Sequence, residues 1–337
     1  MGRSFLVIVV CFLFLHENLL GMESKEIDDI ERTTTVRLTP IEEIAVEYSD
    51  LEGNVNKGIY DVVLKSSEED TPDEKSIADF IAERGHPLNF DISYLCLNDL
   101  DLTSLDGLPS CLSSRHLILS RNKIRDFRFL PSMPNLIKLE ATGNLIIDLS
   151  GLQNAQNLEI LNISGNPLKN LDTLPFLPRL TNLYVCYNNL EDLSGLKNVP
   201  NLMLLLLWGC QMTKLTGMPE KFHYLGELNL SYNRLQNLEG MPKMPNLKAL
   251  MIEGNPITTL FGMTELPMME NLIILYNRNL KNLEGLPADL SQLRNLYLTH
   301  NGLESLHGLP FALPRLRFLD LSYNSLTNRP FKNELQQ

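Results

Sequence analysis

Eleven copies of one apolar pattern follow one another from Ile92 to the end of the chain, and they constrain the fold more than any other feature. The template is LxxLxLxxNxLxxLxxL, seen plainly in LEILNISGNPLKNLDTL at 158–174 and in LGELNLSYNRLQNLEGM at 225–241. The second apolar residue of its LxL segment recurs every 22 or 23 residues, at Leu97, Leu119, Ala141, Ile163, Val185, Leu207, Leu230, Ile252, Leu275, Leu298 and Leu321. No copy is long enough to bury its own apolar face, so the copies must stack into a solenoid.

Each half of the repeat predicts its own structure. The two apolar residues of LxL point to one side of a short strand, and the Asn that follows can hydrogen-bond the turn of a neighbouring coil. This Asn position reads Leu100, Asn122, Asn144, Asn166, Asn188, Cys210, Asn233, Asn255, Arg278, Asn301 and Asn324. We expect Cys210 to be buried in place of Asn. We also expect this ladder of asparagine hydrogen bonds between coils to be irregular at Leu100 and Arg278. Prolines in the other half predict extended and 3₁₀ segments rather than full α-helices.

These copies resemble leucine-rich repeats of the short 22-residue class, as in the leucine-rich regulatory subunit of protein phosphatase 1 and in internalins. The resemblance covers 92–337, which is 246 of the 337 residues. It implies an α/β-type solenoid, a horseshoe with one short parallel strand per repeat on the concave face and an extended or 3₁₀ convex side. It also implies a binding module, although a fold does not name its ligand.

The ends of such a solenoid need caps, because an end repeat would otherwise expose its leucines. The sequence Thr71-Pro72-Asp73-Glu74 has the form of a capping box and is followed by apolar residues at helical spacing, which predicts an N-terminal cap helix over 71–91. A short C-terminal cap would use Phe331. The acidic segment 22–70 is either disordered or a loosely attached hairpin, since the run IYDVVL at 59–64 has strand character.

Residues 1–21 have the pattern of a signal peptide, with Arg3 before an apolar run from Phe5 to Leu15 and a polar break after it. Eleven apolar residues are fewer than the roughly 20 that a membrane-spanning helix needs. We therefore expect a secreted protein without an integral membrane segment. A buried first strand or helix is the alternative, and it would leave the protein in the cytoplasm or nucleus.

Charge and reactive residues argue against several functions. The formal charge of −12 arises entirely within 22–91, and the repeats are neutral without a basic patch. Nucleic acid and anionic membranes, which need clustered Lys and Arg, are therefore poor partners. Cys96, Cys111, Cys186 and Cys210 are scattered singly, so we expect neither a disulfide framework nor a metal site. The six histidines and the scattered carboxylates form no catalytic motif, and we expect no cofactor and no enzymatic activity.

The residues that alternate with the buried strand leucines are expected to face the concave surface. Repeat six, MLLLLWGC, is unusual because it would expose apolar side chains there, and exposed apolar surface commonly marks an interaction site. The predicted partner-binding residues, on repeats five to ten, are Tyr184, Tyr187, Leu204, Leu206, Trp208, Glu227, Met251, Leu272, Ile274, Tyr276 and Tyr297. A protein partner is the main hypothesis; the acidic N-terminal segment or a second copy of the chain is the alternative occupant.

Two glycosylation sequons, at Asn162 and Asn229, fall in the central row of the same surface. A glycan on Asn229 would conflict with a partner there. The repeat itself also favours Asn and Ser at these places without any modification.

Three functions remain open at this point. The first is an exported, non-enzymatic scaffold that binds a protein through its aromatic and apolar concave face. The second, suggested by the phosphatase resemblance, is an intracellular regulatory subunit or adaptor of a Ser/Thr protein phosphatase. The third, suggested by the internalin resemblance, is an adhesin-like surface recognition protein. Cleavage or retention of residues 1–21 separates the first two.

Overall fold

The computed structural model describes residues 48–49, 55–56, 76–78 and 93–326. The predicted signal peptide at 1–21 and the C-terminal cap with Phe331 lie outside these residues. The described part of segment 22–70 consists of two antiparallel strands, β1 (Tyr48–Ser49) and β2 (Val55–Asn56). Of the predicted cap helix over 71–91, only Ser76–Ala78 is described; Ile77 is buried there, and Ala78 N donates to Asp106 O at 3.0 Å.

The repeats form one parallel sheet of eleven three-residue strands, in which every strand pairs with the next in the chain. The strands are β3 (Tyr94–Cys96), β4 (His116–Ile118), β5 (Lys138–Glu140), β6 (Ile160–Asn162), β7 (Asn182–Tyr184), β8 (Leu204–Leu206), β9 (Glu227–Asn229), β10 (Ala249–Met251), β11 (Asn271–Ile273), β12 (Asn295–Tyr297) and β13 (Phe318–Asp320). The central leucine of each strand pairs with the central leucine of its neighbour, for example Leu161 with Leu183. The strands pair in chain order because each repeat is too short for the chain to cross over to any strand beyond the neighbouring one.

A single apolar core runs along the solenoid. In repeat four, Leu161 and Ile163 are fully buried, while Ile160 and Asn162, which alternate with them along the chain, face outward and are half-buried. The convex side contains 3₁₀ helices at Ser150–Asn154 and Ser194–Asn198, and the other described repeats have turns and extended chain there. The predicted fold class is confirmed. No helix among the described residues is long and apolar enough to cross a membrane.

A ladder of buried asparagines joins successive coils. Asn166 Nδ2 donates to Ala141 O at 3.0 Å and to Ile163 O at 2.9 Å, and its Oδ1 accepts from Ile146 N at 2.9 Å. One side chain thus satisfies main-chain groups of its own coil and of the previous one. Without it, those groups would be buried without partners, which is costly.

Cys210 takes the place of a ladder asparagine, as expected. Its thiol donates to Val185 O at 3.0 Å, which replaces the amide donor. The asparagine Oδ1 acceptor is replaced by a main-chain carbonyl oxygen, since Leu190 N donates to Cys210 O at 3.1 Å. Gln211, which follows, has a positive φ of 58°, as does Asp101 (56°) after the other non-asparagine position, Leu100. Burial raises the pKa of the Cys210 thiol to about 12, so it stays protonated and inert.

The expected register of repeat nine is wrong by one residue. Met251 pairs with Ile273, so Leu272 and Ile274 are the core residues of this repeat and Leu275 is only half-buried. The ladder residue is accordingly Asn277 rather than Arg278. Its Nδ2 donates to Ile252 O at 2.9 Å and its Oδ1 accepts from Asn255 N at 3.2 Å.

The error arose in the run LIIL at 272–275, where four apolar residues fit either register. Because side chains alternate along a strand, a slip of one residue exchanges the core and surface sets completely. The repeat spacing therefore ranges from 22 to 24 residues, with 24 residues separating Asn277 from Asn301.

Candidate protein-interaction surface

The outward side chains of β3–β13 form the strand face, which is arranged in rows across the sheet. The first and third residues of the strands form two of these rows. The residue two positions after the third residue of each strand forms the remaining row. In most repeats these places hold polar groups; Lys138 and Glu140, for example, form an ion pair with each other. In repeat six all three are apolar: Leu204, Leu206 and Trp208, each half-buried.

Neighbouring strands extend this apolar surface. Register pairs Leu206 with Tyr184 on one side and places Met251 and Ile273 two and three strands away on the other. Strands lie about 4.8 Å apart, so these residues occupy about 20 Å of the face. We call Tyr184, Leu204, Leu206 and Trp208, which lie on the adjacent strands β7 and β8 and just after β8, the apolar patch.

The structure corrects three members of the predicted site. Leu272 and Ile274 are fully buried in the core and are unavailable to any partner. Met251 lies in the central row as expected, but only 5% of it is exposed because it packs beside Asn229. Ile273 and Leu275, half-buried on the strand face, were missed because of the register error.

Glu227 is a carboxylate in apolar surroundings. It is the first residue of β9 and is flanked on the adjacent strands by Leu204 and Ala249. No cation lies within ion-pair distance of it among the described residues, and burial alone raises the pKa of its carboxyl group. A half-buried carboxylate of this kind is well suited to receive a cationic group from outside.

The two sequons lie in different environments. Asn229 is buried, with its Nδ2 donating to Met251 Sδ at 3.5 Å and its Oδ1 accepting from Ser231 N at 2.9 Å. Asn162 is half-buried, and its Oδ1 accepts from Ser164 N at 3.1 Å. An attached glycan is incompatible with the packing at Asn229, which leaves Asn162 as the more accessible of the two.

A line of aromatic residues borders the strand face at the position just before the ladder residue. We call Tyr187, Tyr232, Tyr276, His300 and Tyr323 the aromatic row; each has a φ between 53° and 57°. The Trp208 ring makes edge contacts with Tyr187 and Tyr232, at centroid distances of 4.5 and 5.6 Å. His300 is stacked between Tyr276 and Tyr323, at 4.6 and 4.1 Å.

Only Tyr187 and Tyr276 of this row were predicted as site residues. Tyr232, His300 and Tyr323 were missed, although four other repeats have glycine at the same position, namely Gly143, Gly165, Gly209 and Gly254. Recurrent glycine indicates a left-handed backbone conformation, so aromatic residues at that place could have been recognised as exceptional. Tyr297, also predicted, lies half-buried in the central row with its ring 4.9 Å from that of Phe318.

Tyr232, in the middle of the aromatic row, is hydrogen-bonded to the buried carboxylate of Glu253. Tyr232 Oη donates to Glu253 Oε1 at 2.5 Å, and Glu253 N donates to Ser231 Oγ at 3.1 Å. Burial and the bond to Glu253 raise the pKa of Tyr232 well above its ordinary value, so its hydroxyl stays protonated. The described residues contain no group of three or more His, Cys, Asp or Glu that could hold a metal ion.

Comparison with known proteins agrees with this architecture. A family model described as Leucine Rich Repeat matches residues 315–334. The leucine-rich repeat domain of APL1B has a TM-score of 0.54 at 22% identity, with 74% of this chain and 72% of that chain covered. The chain therefore has the leucine-rich repeat fold.

Two bacterial structures also resemble the chain. An internalin, inlF, from Listeria monocytogenes is 24% identical, with a TM-score of 0.47 over 73% of this chain and 86% of that chain. YopM from Yersinia enterocolitica is 24% identical, with a TM-score of 0.43 over 75% and 68%. No curated protein sequence matches the chain significantly. The predicted resemblance to the phosphatase subunit is not confirmed by these comparisons.

Proposed function

We propose that this leucine-rich repeat protein is a non-enzymatic scaffold that holds a protein partner on the concave face of repeats five to ten. The observation that carries the proposal is the apolar patch. Repeats three and four place Lys138, Glu140 and Asn162 on the strand face, whereas repeat six places Leu204, Leu206 and Trp208 there. A contiguous apolar area on a rigid curved sheet is a typical docking surface for a protein.

Glu227 adds a charge requirement to this surface. The partner would present an apolar area together with a Lys or Arg side chain that pairs with Glu227. Such a pair would offset the desolvation of a carboxylate that has no cation beside it among the described residues. A partner whose docking surface is acidic would be rejected.

Substitution within the patch tests the proposal. The full chain is immobilised, its binding partners from the native source are cross-linked and identified, and the identified partner is then titrated against variants. We expect Leu204→Asp with Leu206→Asp to weaken binding at least tenfold, because each introduced carboxylate is desolvated on docking. Trp208→Ala and Tyr184→Ala should also weaken it.

Thr142→Asp is the matched control, since it adds a carboxylate to the same strand face in repeat three, outside the patch. Circular dichroism verifies that each variant is folded. Full affinity of the folded double variant would exclude the patch as the binding surface.

Export is the second part of the proposal and is supported by the signal-peptide pattern of residues 1–21. N-terminal sequencing of the protein from its native source tests it, with a start near residue 22 expected. A retained Met1 would favour the intracellular phosphatase adaptor instead.

A further inference from the structure

The two sequons differ in the use that the folded protein makes of the asparagine side chain. Asn162 Oδ1 accepts from Ser164 N at 3.1 Å, and at the same place in the last repeat Asp320 Oδ1 accepts from Ser322 N at 2.9 Å. An aspartate therefore meets this requirement of the strand end as well as an asparagine does. Among the described residues, Asn162 Nδ2 donates no hydrogen bond, so the nitrogen that glycosylation uses has no structural role there.

The strand face has room beside Asn162. This residue ends β6 and is half-buried between Glu140 and Tyr184 of the adjacent strands. A Cβ atom at Gly165 would meet only the main chain of Gly143, at 3.4 Å and beyond. A sugar attached to Asn162 can therefore lie over the small residues that continue the face past β5 and β6, namely Thr142, Gly143, Ser164 and Gly165.

Asn229, by contrast, is enclosed. Only 3% of it is exposed, it lies between Leu206 and Met251 of the adjacent strands, and its Nδ2 donates to Met251 Sδ at 3.5 Å. A sugar on this nitrogen would overlap the Met251 side chain, which is itself only 5% exposed. A chain modified at Asn229 could therefore not pair β9 with β10 as the structure shows.

Glycosylation of a sequon is a group transfer to the asparagine nitrogen. The donor is a lipid-linked oligosaccharide pyrophosphate. A bond forms between Nδ2 and C1 of the first N-acetylglucosamine, the bond from C1 to the pyrophosphate oxygen breaks, and Nδ2 loses one proton as the lipid pyrophosphate leaves. Transfer takes place while the chain enters the secretory pathway, before the coils stack. Both sequons can be reached at that stage, and folding then selects the product.

We propose that Asn162 carries an N-linked glycan in the folded protein and that the sequon at Asn229 stays unmodified. This inference rests on the export proposed above, because the chain meets the oligosaccharide donor only in the secretory pathway. Asn162 lies one strand before Tyr184, so the glycan borders the apolar patch on the side of β6. It would confine a partner to the repeats that follow β6.

Mass spectrometry of the protein from its native source tests the proposal. Enzymatic removal of N-linked glycans in heavy-oxygen water converts a glycosylated asparagine into a labelled aspartate. The peptides that contain Asn162 and Asn229 thus report each sequon separately. We expect the label at Asn162 and none at Asn229. N-terminal sequencing of the same sample reports export independently.

Ser164 offers a matched pair of variants that leave Asn162 in place. Ser164→Ala removes the sequon and Ser164→Thr keeps it, and both retain the main-chain N–H that bonds Asn162 Oδ1. When the full chain is secreted from cultured eukaryotic cells, the intact mass of the alanine variant should be lower by one whole glycan. The threonine variant should keep the glycan, and circular dichroism verifies that both are folded.

Four results would overturn the inference. Label at Asn229 in the folded protein would contradict the packing argument. Absence of label at Asn162 in a protein that starts near residue 22 would exclude the glycan and leave export standing, whereas a retained Met1 without label would exclude both. A glycan that persists in the folded Ser164→Ala variant would show that another residue carries it.

Discussion

At the residue scale, side-chain amides connect the coils as directly as the strands do. Each ladder asparagine bonds main-chain groups about 20 and 25 residues away, as Asn166 does with Ile146 and Ala141. Strands of only three residues provide few main-chain bonds per coil. The ladder therefore supplies much of the specificity with which one coil stacks on the next.

Asn166→Ala should lower the free energy of unfolding by about 2–3 kcal/mol, because it leaves buried main-chain groups without partners. Asn170→Ala is the matched control: Asn170 Oδ1 accepts from Asp172 N at an exposed turn, and its loss should cost less than about 0.5 kcal/mol. Urea denaturation measures both values. Equal losses would contradict a structural role for the ladder.

Glu227→Gln should stabilise the protein near pH 7 and have little effect near pH 4. Burial raises the pKa of Glu227 in the folded state, so the folded protein binds this proton more tightly than the unfolded chain does. The stabilisation that this tighter proton binding gives the folded protein is fully present at pH values below the pKa of Glu227 in the unfolded chain. It is lost as the pH rises through the pKa of Glu227 in the folded protein. The flanking residues Leu204 and Ala249 do not titrate.

Urea midpoints of both proteins, measured from pH 4 to pH 8, give the size and the pH range of this effect. A stabilisation of similar size at pH 4 and pH 7 would show that it does not arise from ionisation of Glu227.

At the scale of the element, the register of β11 decides which residues of repeat nine can meet a partner. Leu272→Asp should lower the free energy of unfolding by at least about 3 kcal/mol, because it buries an unpaired charge. Ile273→Asp places the same charge on the strand face and should cost less than about 1 kcal/mol. Thermal or urea unfolding compares the two, and the opposite ranking would restore the register predicted from sequence.

At the scale of the whole molecule, stability should vary along the solenoid because each coil contacts only its neighbours. The central leucine of β13, Leu319, is 40% exposed, whereas the equivalent leucines in the other ten strands are fully buried. We expect the last described coil to open more readily than the middle ones.

Hydrogen exchange measures this difference. The amide of Phe318, which donates to Arg294 O, should exchange at least tenfold faster than the amide of Leu204, which donates to Thr181 O. Equal protection factors at the two sites would indicate that the whole solenoid opens as a single cooperative unit.

The acidity of the chain is also a property at this scale. The formal charge of −12 belongs to residues 22–91, and the repeats are neutral, with the apolar patch on an otherwise largely polar strand face. The net charge of the protein therefore describes its N-terminal segment and gives no information about the proposed binding surface.

The sequence by itself determined the solenoid, the parallel strands, the burial of Cys210 and the unusual repeat six. These follow from a period that no isolated repeat could satisfy and from apolar residues at fixed positions within it. Only the tertiary structure decided the register of repeat nine, because LIIL fits both faces of a strand and the choice depends on which asparagine reaches the neighbouring coil. It also decided the aromatic row, since contacts between rings of separate coils depend on a backbone conformation that alternation alone does not indicate.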